Sequence, residues 1–227
     1  TCRRDAIYPA TIVGIPPMED KYFTMVSSKV FLTIVKSFII PEVVDWIFPD
    51  EGVTHNLVIV KVKCDYKGVG FKVINALWGL GQMMFCKIII TVGENDVIND
   101  YRLMLKRLVN SILLGNYIIS KGPLDVLDHS TDVVGYGGKM GIDLTICSDV
   151  INYNISKSVL NNILVENEDL ININTDYIEL GLIIMSIDKK KGSIDRLSSW
   201  IRNVIDYKIL LVFVDKYVNI FDLKTLL

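Results

Sequence analysis

Histidine is scarce in this chain, with two among 227 residues, and cysteine is little used, with four. Cys2, Cys64, Cys86 and Cys147 form no CxxC pair. The spacing of a zinc ribbon or a thioredoxin-like site is therefore missing, and reduced structural thiols are expected. No excess charge of one sign is present: 24 basic and 26 acidic residues leave a net charge of −2. The lysines are scattered along the chain instead of gathered, which excludes a phosphate-tracking nucleic-acid partner. No basic segment followed by an apolar one opens the chain, so no secretory signal is read. The best candidate for a membrane span, "VINALWGLGQMMFC" at 73–86, is 14 residues long. A span needs about 18–20 residues, so this stretch is expected to be buried core. With 51% hydrophobic residues and a mean hydropathy of +0.39, the chain is expected to be a cytoplasmic protein with a large core. Membrane association is at most peripheral. The first residue is Thr1, and the C-terminal helix lacks a capping signal, so both ends are expected to be internal to a longer protein.

What is present is a regular alternation of helix and strand. From Val26, the residues Val30, Phe31, Ile34, Val35 and Phe38 recur at helical spacing until Pro41 ends the pattern. "LVIVKV" at 57–62 reads as a strand covered on both faces. Phe71, Ile74, Leu77, Trp78 and Phe85 mark a helix with Gly79 and Gly81 inside it. "KIIITV" at 87–92 is a second strand, and Leu105, Leu108, Val109 and Ile112 line a second helix. The fold class expected is α/β, with βαβα units and a mainly parallel sheet flanked by helices.

The same order returns later. "LIIMSI" at 182–187 matches "LVIVKV", and "KKG" at 190–192 stands where "YKG" stands at 66–68. A helical face of Ile194, Leu197, Trp200, Ile201, Val204 and Ile205 follows, then "KILLVFVD" from Lys208. Asp222 lies seven residues after Asp215, as Asp100 lies seven after Gly93. This is read as a second, truncated copy of one unit. Between the copies, the asparagine-rich stretch 148–176 reads as a linker with one short helix near 159–165 and no chemical role.

Three places carry chemistry-bearing residues. "GYGGKMGID" at 135–143 offers glycines for an anion cradle. Met140, however, occupies the place where a Walker A loop needs Ser or Thr and where a dinucleotide fingerprint needs glycine, so a flexible glycine loop is expected. His55 sits in a turn before the first strand. "GPLDVLDHS" at 122–130 brings Asp125, Asp128 and His129 together. These form either an acid/base set, since a carboxylate beside an imidazole tunes both groups, or a turn in which Asp128 caps a following helix.

Several of these stretches, together with "CRRDAIYPATIVGIPPMED" at 2–20, "PEVVDWIFPDEG" at 41–52, "ALWGLGQMMFCKIIITV" at 76–92 and "GGKMGID", resemble the carboxy-terminal half of the UbiD family of decarboxylases. The resemblance covers about residues 1–145 and is closest to the long members assigned to menaquinone biosynthesis. It implies the end of a split β-barrel domain at 1–21, a carboxy-terminal α/β domain at 22–147, and a linker plus the second unit at 148–227. It also implies a carboxy-lyase acting on an aromatic acid in menaquinone or ubiquinone biosynthesis with prenylated FMN, supplied by a flavin prenyltransferase. A divalent metal (Mn or Mg) and potassium assist the cofactor, and the carboxy-terminal domain contributes to a homo-oligomer. The family's catalytic arginine and paired acids precede this chain, so the chain alone is expected to be inactive; Asp5 is not the family's proton donor. The alternative is a non-catalytic lid or oligomerisation module. By the resemblance, Tyr8, Pro9, Leu127, Asp128 and His129 are substrate-pocket candidates, with Leu127 the best placed. Gly93, Leu144 and the "KRLVNS" segment at 106–111 depart from the family pattern, which removes the basis for a phosphate or potassium contact from that helix.

Overall fold

A computed structural model describes residues 18–49, 52, 56–98, 100–126, 128, 131–146, 168–190, 192–204 and 209–221. Residues 1–17 of the expected barrel end, the short helix near 159–165 and the last helix from 222 lie outside these residues; the rest of the expected barrel end, 18–21, is helical. The chain divides into two compact units, Thr1–Ile98 with Asn116–Ser148, and Asn99–Gly115 with Asp149–Leu227.

The first unit opens with α1 (Met18–Ile34), which widens into a π-helical end at Val35–Ile39. There the Ile40 N–H donates to the Val35 carbonyl at 2.8 Å, and Pro41, which has no N–H to give, ends the helix. Five strands form one mixed sheet in the order β1-β2-β3-β5-β4. They are β1 (Val43–Ile47), β2 (Leu57–Val62), β3 (Ile88–Gly93), β4 (Tyr117–Pro123) and β5 (Tyr136–Asp143). β2 runs parallel to β3 and β3 to β5, whereas β1 and β4 are antiparallel to their neighbours. The sheet is mixed where a mainly parallel one was expected, because both edge strands, β1 and β4, run antiparallel to their neighbours.

Helix α2 (Val69–Trp78) covers one face of this sheet. Its Val73, Ile74 and Leu77 share a buried cluster with Val58, Val60 and Val62 of β2, Ile89 of β3, Trp46 of β1, and Leu32 and Val35 of the first helix. Gly79 and Gly81 do not lie inside this helix: it stops at Gly79, and a separate 3-10 turn spans Gly81–Phe85. Gly81 has φ of 48°, a conformation no other residue type adopts without strain. The stretch 73–86 is thus a helix and a turn that place Val73, Ile74, Leu77, Met83 and Cys86 in the core while Asn75 and Gln82 face solvent. Among the described residues, the helix long and apolar enough to cross a membrane, by length and composition alone, is instead Tyr22–Ile39, of which 17% is buried.

In the second unit, β6 (Leu170–Asn174), β7 (Leu182–Ile187) and β8 (Leu210–Asp215) form a three-stranded sheet. α4 (Ser193–Val204) packs Leu197 and Ile201 on Ile183, Met185 and Ile187. The opposite face is covered by α3 (Tyr101–Leu113), whose Val109 clusters with Leu182, Ile184 and Ile220. The Asp100 carboxylate caps α3 by accepting from the Leu103 N–H at 3.0 Å. α3 therefore goes with the second unit, although it follows β3 in sequence and falls within the 22–147 expected for the first. β6 lies in the asparagine-rich stretch read as a linker.

The repeat is visible in atomic detail. β1-β2-α2-β3 and β6-β7-α4-β8 share one plan, an antiparallel strand pair followed by a parallel crossover. Both antiparallel pairs carry a register shift just after their first pairing, between Val43 and Asp45 and between Leu170 and Asn172. Both helices follow a left-handed glycine, Gly68 at φ 91° and Gly192 at φ 83°. In both, the acidic residue before the first strand is clasped to a basic residue in the first helical turn, Glu42 to Lys72 and Asp169 to Arg196. Those basic residues donate their own N–H to the glycine carbonyl at the same distance, 3.1 Å.

Candidate functional site

The stretch 124–135 joins β4 to β5 in the first unit, and its described side chains divide into anchors and outward groups. Leu124 is buried, and its N–H donates to the Gly135 carbonyl at 2.9 Å, closing the base. The Thr131 hydroxyl donates to the Val133 carbonyl at 2.9 Å. Asp128 accepts from the Lys87 ammonium at 2.7 Å, with its side chain 9% exposed. Lys87 immediately precedes β3, so this ion pair ties the loop to the start of a central strand. Among the side chains facing outward are Val126, Val133 and Val134, which are 65%, 59% and 73% exposed, and Asp132.

"GYGGKMGID" is not a flexible loop. It is β5, and its glycines answer to close packing: a Cβ at Gly137 would lie 2.6 Å from Thr131 Cγ2 and 2.8 Å from Leu124 Cδ1. At Gly141 it would meet Ile74 Cγ2 at 2.5 Å. The glycines thus seat the loop and α2 against the sheet, and they form no cradle for an anion.

Lys139, on β5, is almost wholly buried. Its ammonium donates to the Met84 carbonyl and stands 5.9 Å from the centre of the Trp78 ring, a cation–π arrangement. Burial lowers its pKa from the ordinary lysine range. The neighbouring Cys86 thiol is pushed up to about 12, chiefly by burial, and is chemically quiet. Lys139 therefore braces the 3-10 turn against β5, next to the strand start where Lys87 braces the loop.

A second polar cluster lies at the carboxyl ends of β3 and β5, the end at which parallel sheets commonly bind ligands. Asp143 is fully buried, and its Oδ1 accepts from Thr91 Oγ1 at 3.2 Å, the Thr145 N–H at 2.9 Å and Thr145 Oγ1 at 2.6 Å. A Cβ at Gly70 would lie 2.3 Å from the Asp143 carboxyl carbon, so α2 is seated directly on this network with no space left between them. Burial, then the carboxylates of Asp96 and Asp143, raise the pKa of the nearby Cys64 thiol, which keeps it protonated.

Of the pocket candidates, Asp128 is placed, as the partner of Lys87. Among the described residues from 131 to Asp143, no helix is present for it to cap. Tyr8, Pro9, Leu127 and His129 lie outside the described residues, as does His55. Sequence reading missed Lys87 and Lys139. Their signal is slight, a lysine opening an apolar strand and a lysine between glycines, and only pairing gives either a meaning. Among the described residues, no three His, Cys, Asp or Glu side chains converge to hold a metal ion. With Gly137 and Gly141 packed against Thr131, Leu124 and Ile74, this stretch does not fit a flavin phosphate.

The family model for the C-terminal domain of 3-octaprenyl-4-hydroxybenzoate carboxy-lyase matches residues 21–144. The chain belongs to the UbiD family. The matched residues take in the α1 and α2 regions, the whole five-stranded sheet and the Lys87–Asp128 pair. An uncharacterized protein of Helicobacter pylori is 30% identical over 96% of this chain and 36% of its own length. Another, from Aquifex aeolicus, is 45% identical over 63% of this chain and 29% of its own. The UbiD chain thus spans about a third of the length of the curated relatives it matches. Among solved structures, the closed form of vanillic acid decarboxylase from Sedimentibacter hydroxybenzoicus superposes with a TM-score of 0.50 at 25% identity, covering 67% of this chain and 34% of that one.

Proposed function

We propose that this UbiD-family chain is the carboxy-terminal part of a carboxy-lyase that removes, or reversibly adds, a carboxylate on an aromatic acid. The observation that carries the reading is the family match over 21–144, which includes the Lys87–Asp128 pair. In this reading the prenylated FMN, its divalent metal and potassium are held by protein outside this chain, since the glycine stretch does not fit a flavin phosphate and no metal-ligand cluster converges among the described residues. The cofactor supplies the electron sink for decarboxylation. This chain supplies a shaped surface against which the substrate is oriented, with Leu127 as a pocket wall and Tyr8, Pro9 and His129 near it. The pathway proposed is quinone biosynthesis in the cytoplasm, with a flavin prenyltransferase providing the cofactor and a homo-oligomer as the working form.

The test is turnover by the full-length protein loaded with prenylated FMN, followed as exchange of labelled bicarbonate into an aromatic acid. Exchange by the full-length protein and none by this chain alone is the expected result. Exchange by the isolated chain, or none by the full-length protein over a panel of aromatic acids, overturns it. In the second case, the chain is a non-catalytic lid or oligomerisation module.

A further inference from the structure

Four strands stand at the edges of the two sheets, β1 and β4 in the first and β6 and β8 in the second. An edge strand offers a row of unpaired N–H and C=O groups to any other strand, and proteins blunt such edges with bulges, charges or proline. Three of these edges are blunted. β1 has its register shift between Val43 and Asp45, and the Asp45 carboxylate is held by Lys29 at 2.9 Å. β6 has the matching shift and carries Asn172 and Asn174. β4 carries Lys121 and ends on Pro123. β8 has none of these devices. Its pairing with β7 runs unbroken from Leu210 to Asp215, and the stretch "LLVFV" at 210–214 is apolar throughout. The Leu210 N–H donates to the Gly181 carbonyl at 2.9 Å, so strand alternation turns the N–H and C=O of Leu211 and Phe213 to the open side. In the first unit the equivalent edge, that of β3, is filled by β5. Among the described residues no strand fills that of β8. Val212 within it, and Tyr217 and Phe221 soon after it, are 37%, 85% and 63% exposed.

We propose that β8 is a self-pairing edge: β8 of one copy of the protein adds antiparallel to β8 of a second copy across a two-fold axis at Val212, joining their three-stranded sheets into one. β8 lies outside the residues 21–144 matched by the family model, and the pairing does not depend on the carboxy-lyase reading. The occupant is a second copy because the edge is complementary to itself. In this register Leu211 of each copy exchanges backbone hydrogen bonds with Phe213 of the other, and Val212 stands opposite itself in a non-hydrogen-bonded pair. No charge lies from Leu210 to Val214, so identical strands meet without like-charge repulsion, and Asp215 falls at the rim opposite Ile209. Counting Val212, Tyr217 and Phe221 with the strand edges, the two copies cover roughly 1,000 Å² in all, the lower limit of a specific interface. A two-fold contact also closes at two copies, which uses up the open edge instead of passing it on.

The test uses the full-length protein with Val212→Lys, Val212→Thr and Val212→Cys, all at an exposed position. Light scattering is expected to show the mass of the assembly halved in Val212→Lys and unchanged in Val212→Thr, with the same far-ultraviolet circular dichroism in both. In Val212→Lys the Leu211 and Phe213 amides are expected to exchange hydrogen at least tenfold faster than in the wild type, while Leu210 and Val214, turned toward β7, keep their protection. Under mild oxidation, Val212→Cys is expected to form covalent pairs of chains well beyond the wild-type level, because a non-hydrogen-bonded pair brings Cα atoms to about 4.5 Å, within disulfide reach. A single-chain mass for the wild type, an unaltered mass in a folded Val212→Lys, or no added cross-link in Val212→Cys overturns the proposal. Protection of Leu211 and Phe213 that survives Val212→Lys overturns it too, by showing that another segment of the same chain fills the edge. If Val212→Lys does not fold, the cross-link decides alone.

Discussion

The two copies of the ββαβ plan differ most where their helices meet their sheets. In the first copy, the second residue after the left-handed glycine is Gly70, and the fourth residue of the strand after the helix is Thr91; both touch Asp143. In the second copy, the corresponding positions are Ile194 and Phe213. The first copy has a buried carboxylate network at the carboxyl end of its sheet, and the second has apolar side chains there. The strands differ in the same sense. β7 is buried along its whole length, between α4 on one face and α3 with Ile220 on the other, whereas alternate residues of β2 are only partly buried. One plan has thus been kept in its bulge, its glycine and its acid–base clasp, while the interior was repacked. What survives divergence here is backbone geometry, because a residue at positive φ and a register shift have few substitutes.

The largest expected effect separates the two cores. Trp46→Ala removes a side chain that is 1% exposed from the first unit, and Met185→Ala one that is fully buried from the second. Each is expected to cost about 2–5 kcal/mol by denaturant titration. Hydrogen exchange should show Trp46→Ala loosening β1 to β5 while β6 to β8 keep their protection, and the reverse for Met185→Ala; a uniform loss in both sheets would mean that the units unfold as one. Next, Gly70→Ala forces a methyl to within 2.3–2.4 Å of the Asp143 carboxyl and Thr91 Oγ1. The overpacking should cost about 1–3 kcal/mol. Ile194→Ala, at the matching but partly exposed position, should cost less, and the thermal midpoints of the two variants compare them directly.

The clasps differ in acid response. Lys190, Arg196 and Ser193 bond to the Asp169 carboxylate and hold its pKa down at about 2, against an ordinary value of 3.8. A group depressed on folding stabilises the fold above its unfolded pKa and loses that stabilisation as pH falls through the folded value. The urea midpoint of the second unit should therefore drop between about pH 4 and pH 2, and Arg196→Met should flatten that drop. Glu42, lowered chiefly by its hydrogen bond to Lys72, has the same sign in the first unit. The smallest effect is Lys72→Met, since Lys72 is half exposed. It should shift the urea midpoint only slightly, and high salt should erase most of that difference.

Much of the local structure was legible in the sequence. The helices at α1, α2, α3 and α4 and the strands β2, β3, β7 and β8 follow apolar periodicity, and the equivalence of "YKG" and "KKG" is realised as two left-handed glycines. Strands β1, β4, β5 and β6 were not legible. β1 and β4 lie at a sheet edge and β6 is rich in asparagine, so their patterns are broken by polar residues. β5 was hidden by glycines whose reason lies in Thr131, Leu124 and Ile74, distant in sequence. The candidate site was half legible: Asp128 stood out by composition, but its partner Lys87 did not.

By itself, the sequence determined the four helices and the strands β2, β3, β7 and β8, that they recur in a second copy, and, through its motifs, the family. These are properties of periodicity, backbone conformation and local spacing, which a linear reading can reach. Only the tertiary structure decided that α3 leaves the unit it follows and covers β7, that the glycine-rich stretch is a strand, and that Asp128 pairs with Lys87. Each of those depends on which apolar face or charged group a residue meets across dozens of positions in the chain, and burial and ion pairing are settled by three-dimensional neighbours.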